Sequence, residues 1–104
     1  MIIVTTDFIP GKEITEVLGM ARGNTVRARA VGKDIMAMLR NVIGGEVTEY
    51  TKMIAESREQ ALDRMAENAK QMGANAILNV RFGTSMVMTG AAEILAYGTA
   101  VVVR

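Results

Sequence analysis

The sequence predicts an α+β domain of two layers, a small antiparallel sheet with one long helix laid along it. Three observations predict it. Residues 49–72 carry apolar side chains at helical spacing, residues 76–82 alternate with a period of two while 93–103 form a strand apolar on both faces, and glycines punctuate the chain between these segments. A chain of 104 residues forms one domain, here taken as 1–104.

Taken in order, "IIVTT" (2–6) is a short β-branched run that stops at the Pro10-Gly11 turn signal. Residues 14–31 have strand character, with Gly19 and Gly23 marking bends or close backbone approach. After Gly32 the period changes, and Ile35, Met38, Leu39 and Val42 predict a short helix ended by Gly44-Gly45. Thr48 is an N-cap for the long helix, Glu49 lies in its first turn, and Gly73 follows it as the C′ residue.

In 76–82, Ala76, Leu78, Val80 and Phe82 form the more apolar face. In 93–103, Ile94, Ala96, Ala100 and Val102 form one face, while Leu95, Tyr97, Val101 and Val103 form the other. "SMVMTGAAE" (85–93) is left as the connection, a hairpin near Gly90. The helix and the last strand are both about 35 Å long, so one helix can lie along the whole sheet. A strand apolar on both faces needs cover on both faces. Nothing left in the chain is expected to cover the second one, so the sequence predicts that another copy of the protein does.

Composition removes several functions. There is no Cys and no His, which excludes disulfides, thiol nucleophiles, imidazole bases and the usual zinc sites. The eleven carboxylates show no pairing that singles out an acid–base couple, so the chain does not read as an enzyme. A net charge of +1 does not indicate nucleic acid as a partner. The N-terminus has no basic segment before an apolar run, and no apolar stretch is long enough to span a membrane. The absence of cysteine fits a cytoplasmic protein.

"PGKEITEVLGMARG", "GGEVTEYTKMIAESREQALDRMAENAKQMGANAILNVRF" and "EILAYGTAVVV" resemble, in this order, the YbjQ-like family of small prokaryotic proteins. The resemblance implies a dodecin-like subunit with a three-stranded antiparallel sheet whose last strand lies in the middle. It also implies a ring-shaped homo-oligomer, usually a pentamer, in which short extra strands help assembly, with 2–6 as one such strand. No known reaction and no cofactor comes with it. The family carries a heavy-metal-binding label, which this chain could meet only with carboxylates and thioethers.

One feature of the helix points to a site. Arg58, Arg64 and Asn68 fall on or beside the stripe formed by Tyr50, Ile54, Ala61, Met65 and Met72. A buried guanidinium without a partner is costly, so these groups must reach water, a carboxylate or an anion. One reading pairs them with Glu46, Glu93 or Asp7, within or between subunits. The other makes Arg58, Arg64, Asn68 and the Tyr50 hydroxyl a pocket between subunits for a small anionic ligand. Three further patterns read more simply as structure. Gly44-Gly45 is a helix stop before it is an anion cradle. Arg22, Arg27, Arg29 and Lys33 protect an edge strand before they bind phosphate. Met36, Met38, Met86 and Met88 fill gaps before they hold copper, although Met86 and Met88 would share a strand face.

Overall fold

The computed structural model describes residues 1–28, 48–88 and 91–104, and at 28 and 48–50 the backbone alone. The short helix expected after Gly32, the Gly44-Gly45 pair, Arg29, Lys33, Glu46 and the Met36–Met38 pair lie outside the described residues. The elements are β1 (Ile2–Ile3), β2 (Ile14–Ala28), α1 (Thr48–Gln71), β3 (Ala76–Met88) and β4 (Ala91–Val103).

The sheet has four strands in the order β1-β3-β4-β2. Its three long strands are antiparallel with β4 between the other two, and β1 pairs parallel with β3 at the edge. The N-terminal run expected to serve assembly is therefore engaged within its own chain. Ile2 and Ile3 stand opposite Ala76 and Ile77, and Val4 N–H donates to the Ile77 carbonyl at 3.0 Å. Ile9 to Lys12 then forms a tight turn, with Lys12 N–H bonded to the Ile9 carbonyl and Gly11 at φ 77°. Pro followed by a residue at positive φ is the type II pattern, and glycine takes that second place without steric cost.

Helix α1 begins at Thr48, one residue before the expected first helical residue. Its C-terminus is a Schellman motif. Ala74 N–H reaches the Ala69 carbonyl, Gly73 N–H reaches the Lys70 carbonyl, and Gly73 has φ 93°. The buried row of the helix is Ser57, Ala61, Met65 and Ala69, whereas Ile54 and Met72 are only partly buried. Three small side chains in this row let the helix approach a strand closely, and it does so over β2. A Cβ built on Gly23 would lie 2.2 Å from Met65 N and 2.5 Å from the Ala61 carbonyl oxygen. Glycine is required there because the neighbour is backbone and cannot move aside.

The helix-side core joins that row to Ala21 on β2, Ile77 and Val80 on β3, and Ile94, Ala96 and Ala100 on β4. The faces of β4 are as expected. Those of β3 are not, because Leu78 and Val80 belong to opposite faces. Leu78 is opposite Thr99 but Arg81 is opposite Tyr97, so a bulge intervenes, and Asn79 adopts φ 54° within it. The strands also run further into 85–93 than expected. Ser85 pairs with Glu93 and Met86 with Ala92, leaving only Thr89 and Gly90 between β3 and β4.

The second face of the sheet is partly covered by the chain itself, contrary to expectation. Val4 and Ile9 pack on Ala76, Leu78, Val101 and Val103. The sequence hid this because the 2–9 segment is too short and irregular to read as a layer. Among the described residues the cover stops there, and Leu95, Tyr97 and Thr99 further along β4 are half-buried.

Gly23→Ala should cost about 3 kcal/mol or more, since the new methyl meets helix backbone. Gly83→Ala, where nothing lies within 4 Å, serves as the control. Urea midpoints of the two variants, measured side by side, check this difference.

Candidate functional site

Strand β2 is an edge strand, and α1 lies against it. Backbone groups on the outer edge of such a strand have no strand partner and must find others. Two helix side chains meet this need. Arg64 Nη1 donates to the Asn24 carbonyl at 2.7 Å, and Asn68 Oδ1 accepts from Arg22 N–H at 3.0 Å. Buried Thr25 adds a third tie by donating its hydroxyl to the Ser57 carbonyl at 3.2 Å. Arg27 Nη2 reaches Gln60 Oε1 further along, also at 3.2 Å. Polar residues thus flank the apolar stripe because the helix sits beside an open strand edge as well as above a face.

The four residues of the expected anion pocket have different places. Arg64 and Asn68 come together on the edge of β2. Arg58 is exposed and stands well round the helix from Arg64. Tyr50 lies in the first turn of α1, with its side chain outside the described residues. Glu93, considered as a partner for the arginines, is held elsewhere. Its carboxylate accepts from Asn24 Nδ2 at 3.0 Å and from Ser85 Oγ at 3.4 Å.

Two cross-strand rows on the face away from the helix carry polar chemistry that sequence spacing did not bring together. One is Asn24–Glu93–Ser85. The other follows from register, where Arg22 on β2 and Arg81 on β3 both stand opposite Tyr97 on β4. The signals that could have located the second row are the bulges, because each inverts the faces beyond it. In β2 the register shifts between Ile14 and Glu16 and again between Val17 and Gly19.

Among the described residues no three Asp or Glu converge on one point. Met86 pairs with Ala92 but Met88 with Ala91, so a register shift places the two thioethers on opposite faces rather than together. Both are exposed. A groove of about 560 Å³ beside α1 is lined by Arg27, Lys52, Glu56, Glu59, Gln60 and Asp63. Its two cations stand against three carboxylates, so the charges largely offset one another. No described helix is long and apolar enough to cross a membrane.

A family model described as "Putative heavy-metal-binding" matches residues 1–104. The chain belongs to the YbjQ family. Proteins similar to this YbjQ-family chain are UPF0145 proteins of archaea. That of Methanosarcina acetivorans is 68% identical over 101 residues, covering 97% of this chain and 95% of its own. Those of Archaeoglobus fulgidus and Thermococcus kodakarensis are 57% and 61% identical over 104 residues, covering 96% and 92% of their own lengths. A crystal structure of a DUF74-family protein of unknown function from Pediococcus pentosaceus is similar in fold. The TM-score is 0.61 at 17% identity, with 100% of this YbjQ-family chain and 98% of the other covered. None of these names states a catalytic activity.

Arg64→Ala should cost about 1–2 kcal/mol, because it strands the Asn24 carbonyl at a strand edge. Arg58→Ala should stay within about 0.5 kcal/mol, as befits an exposed side chain. Chemical denaturation of both variants checks the contrast. Equal midpoints would mean that the Arg64 bond adds nothing to stability.

Proposed function

We propose that the protein works as a homo-oligomer, a ring of five subunits in the cytoplasm, whose role is assembly and whose ligands, if small and anionic, sit between subunits. The observation that carries this reading is the shape of the subunit. Its extents are 52 × 26 × 16 Å and its radius of gyration is 17.0 Å. A compact chain of this length has a radius of gyration of about 13 Å. The described residues form a slab one helix and one sheet thick, which cannot enclose its own apolar side chains. Phe82 and Met86 on β3, and Val17, Met20 and Val26 on β2, are among those left exposed.

The edges favour a ring. Among the described residues, β1 and the segment after it engage β3 only as far as Val80, and α1 ties β2 only from Arg22 onward. Each subunit therefore offers two different open edges, on opposite sides of its sheet. Contact between unlike edges is head-to-tail, and such contacts close into rings when the rotation permits. In this arrangement Arg58, exposed on the helix, would be a cation available to an interfacial anion. Tyr50 would stand about two turns away, while Arg64 and Asn68 fix the helix to β2.

Light scattering after size exclusion should give about five times the subunit mass at micromolar concentration. Phe82→Asp should lower that mass toward one subunit while far-ultraviolet circular dichroism stays unchanged. A wild-type protein that runs at 11.2 kDa would sink the proposal.

The family description favours a second reading, a metal-binding protein. It would have to rest on carboxylates and thioethers. Calorimetric titration should show no stoichiometric Zn²⁺ site below micromolar dissociation constant, and finding one would restore this reading.

A further inference from the structure

We propose that residues 2–9 form a strap that guards the outer edge of β3, latched there by the bulge at 79–81, and that lifting it opens this edge and the apolar patch beneath it to a second copy of the chain. Strap, latch and edge all belong to one chain, so the device does not depend on the assembly reading.

The latch is built from hydrogen bonds. In a regular strand successive N–H groups point to opposite sides, so only every second one can serve an outer neighbour. At the bulge two in a row face the strap. Asn79 N–H donates to the Thr6 carbonyl at 3.0 Å, and Val80 N–H donates to the Val4 carbonyl at 3.1 Å. The carbonyl between them, that of Thr5, accepts from Arg81 Nη1 at 3.1 Å. Three consecutive carbonyls of the strap are thus held by three consecutive residues of β3. The Val80 carbonyl, 2.8 Å from the same Nη1, aims the guanidinium. Asn79 reaches this geometry only at φ 54°, in the left-handed region, where every residue but glycine meets a steric cost. That local strain yields a row of strap contacts that a regular strand could not make.

What the strap hides is a template for strand pairing. Its own N–H groups add two bonds, from Ile2 to the Asn75 carbonyl and from Val4 to the Ile77 carbonyl, so the outer backbone of β3 is occupied as far as Val80. Ala76, Leu78, Val101 and Val103 are almost fully buried beneath it, with Val4 and Ile9 packed on them. Without the strap the open edge would run through the whole of Ala76–Met88, 13 residues with no proline and a single charge, that of Arg81. Natural sheets protect such edges with charge, with proline or with a covering segment. The covering segment here is the strap. The occupant that replaces it is a second copy, because each copy carries its own edge on β2, which α1 ties only from Arg22 onward among the described residues. Main-chain pairing needs only such an edge.

The strap is also the part of the sheet able to open by itself. Strand β1 is 2 residues long, Ile2 and Ile3 are exposed, and Val4 and Ile9 are only partly buried. A segment with so little buried area opens at a lower free energy than the domain as a whole.

The test is hydrogen–deuterium exchange of the full-length protein read by mass spectrometry, with light scattering over a concentration series. Arg81→Ala removes the latch donor, and Val4→Asp spoils the apolar seat of the strap. Each should speed exchange across 2–9 by about tenfold or more, while α1 and β4 exchange as in wild type. Each should also give a scattering mass that exceeds the wild-type value and grows with concentration. Phe8→Asp charges the strap at an exposed side chain outside the latch and should change neither reading. If Arg81→Ala loosens the whole chain, Val4→Asp decides. Faster exchange throughout the chain in both variants, unchanged exchange in Arg81→Ala, or a released strap without added mass would overturn the proposal. A wild type that runs as one subunit would sink the assembly reading alone, since both readouts here are differences from wild type.

Discussion

Everything else in this fold depends on where the helix backbone touches the sheet. Gly23 lets α1 settle against β2, an edge strand, rather than over the middle of the sheet. From there the helix can both cover one face of β2 and β4 and reach around to the open backbone of β2. That choice has a cost on the other side. The helix makes little contact with β3, so Phe82 and Met86, on the same face as the core, are left without cover. A helix centred on β4 would have hidden those side chains but would have left the Asn24 carbonyl and Arg22 N–H unpaired. Polar satisfaction at the edge and apolar exposure at the far strand are two results of a single placement.

Much of this architecture is legible in the residues. The long helix shows because its period persists through several turns and ends at a glycine able to take positive φ. The two faces of β4 show because that strand carries no bulge between Leu95 and Val103, so parity holds along it. The faces of β3 are not legible. Parity fails at Asn79, and nothing in "ILNVRF" announces a left-handed asparagine, which spacing alone reads as one more outward residue. The two shifts in β2 reverse the faces only between them, and parity returns from Gly19 onward. A bulge is one residue in length but reverses every side chain beyond it, so sequence alternation misassigns faces from that point onward.

The candidate site was half legible for a related reason. The odd placement of Arg64 and Asn68 beside the apolar stripe is visible in the sequence, and the need for a partner follows from the chemistry of a guanidinium. Their partner could not be read, because it is the backbone of β2, and backbone acceptors leave no trace in residue identity. Arg22, Tyr97 and Arg81 escaped for the opposite reason. Each is an ordinary surface residue in its own segment, and only the register of three strands makes them neighbours.

The pairing pattern also governs when the fold can form. Ile14 of β2 is opposite Val103 of β4, and Ile2 of β1 is opposite Ala76 of β3, so partners are separated by most of the chain. The central strand is the one made after all the others. As the polypeptide leaves the ribosome, β1 and β2 emerge with no neighbour to accept their backbone bonds, and α1 emerges before the sheet it rests on is complete. Only the β3–β4 hairpin is local, which makes it the natural nucleus onto which β2, the helix and the N-terminal segment then dock. Such a chain has to finish its synthesis before its sheet can close. In the interval its apolar strands are open to any neighbouring nascent copy, the same kind of contact that assembly would later use.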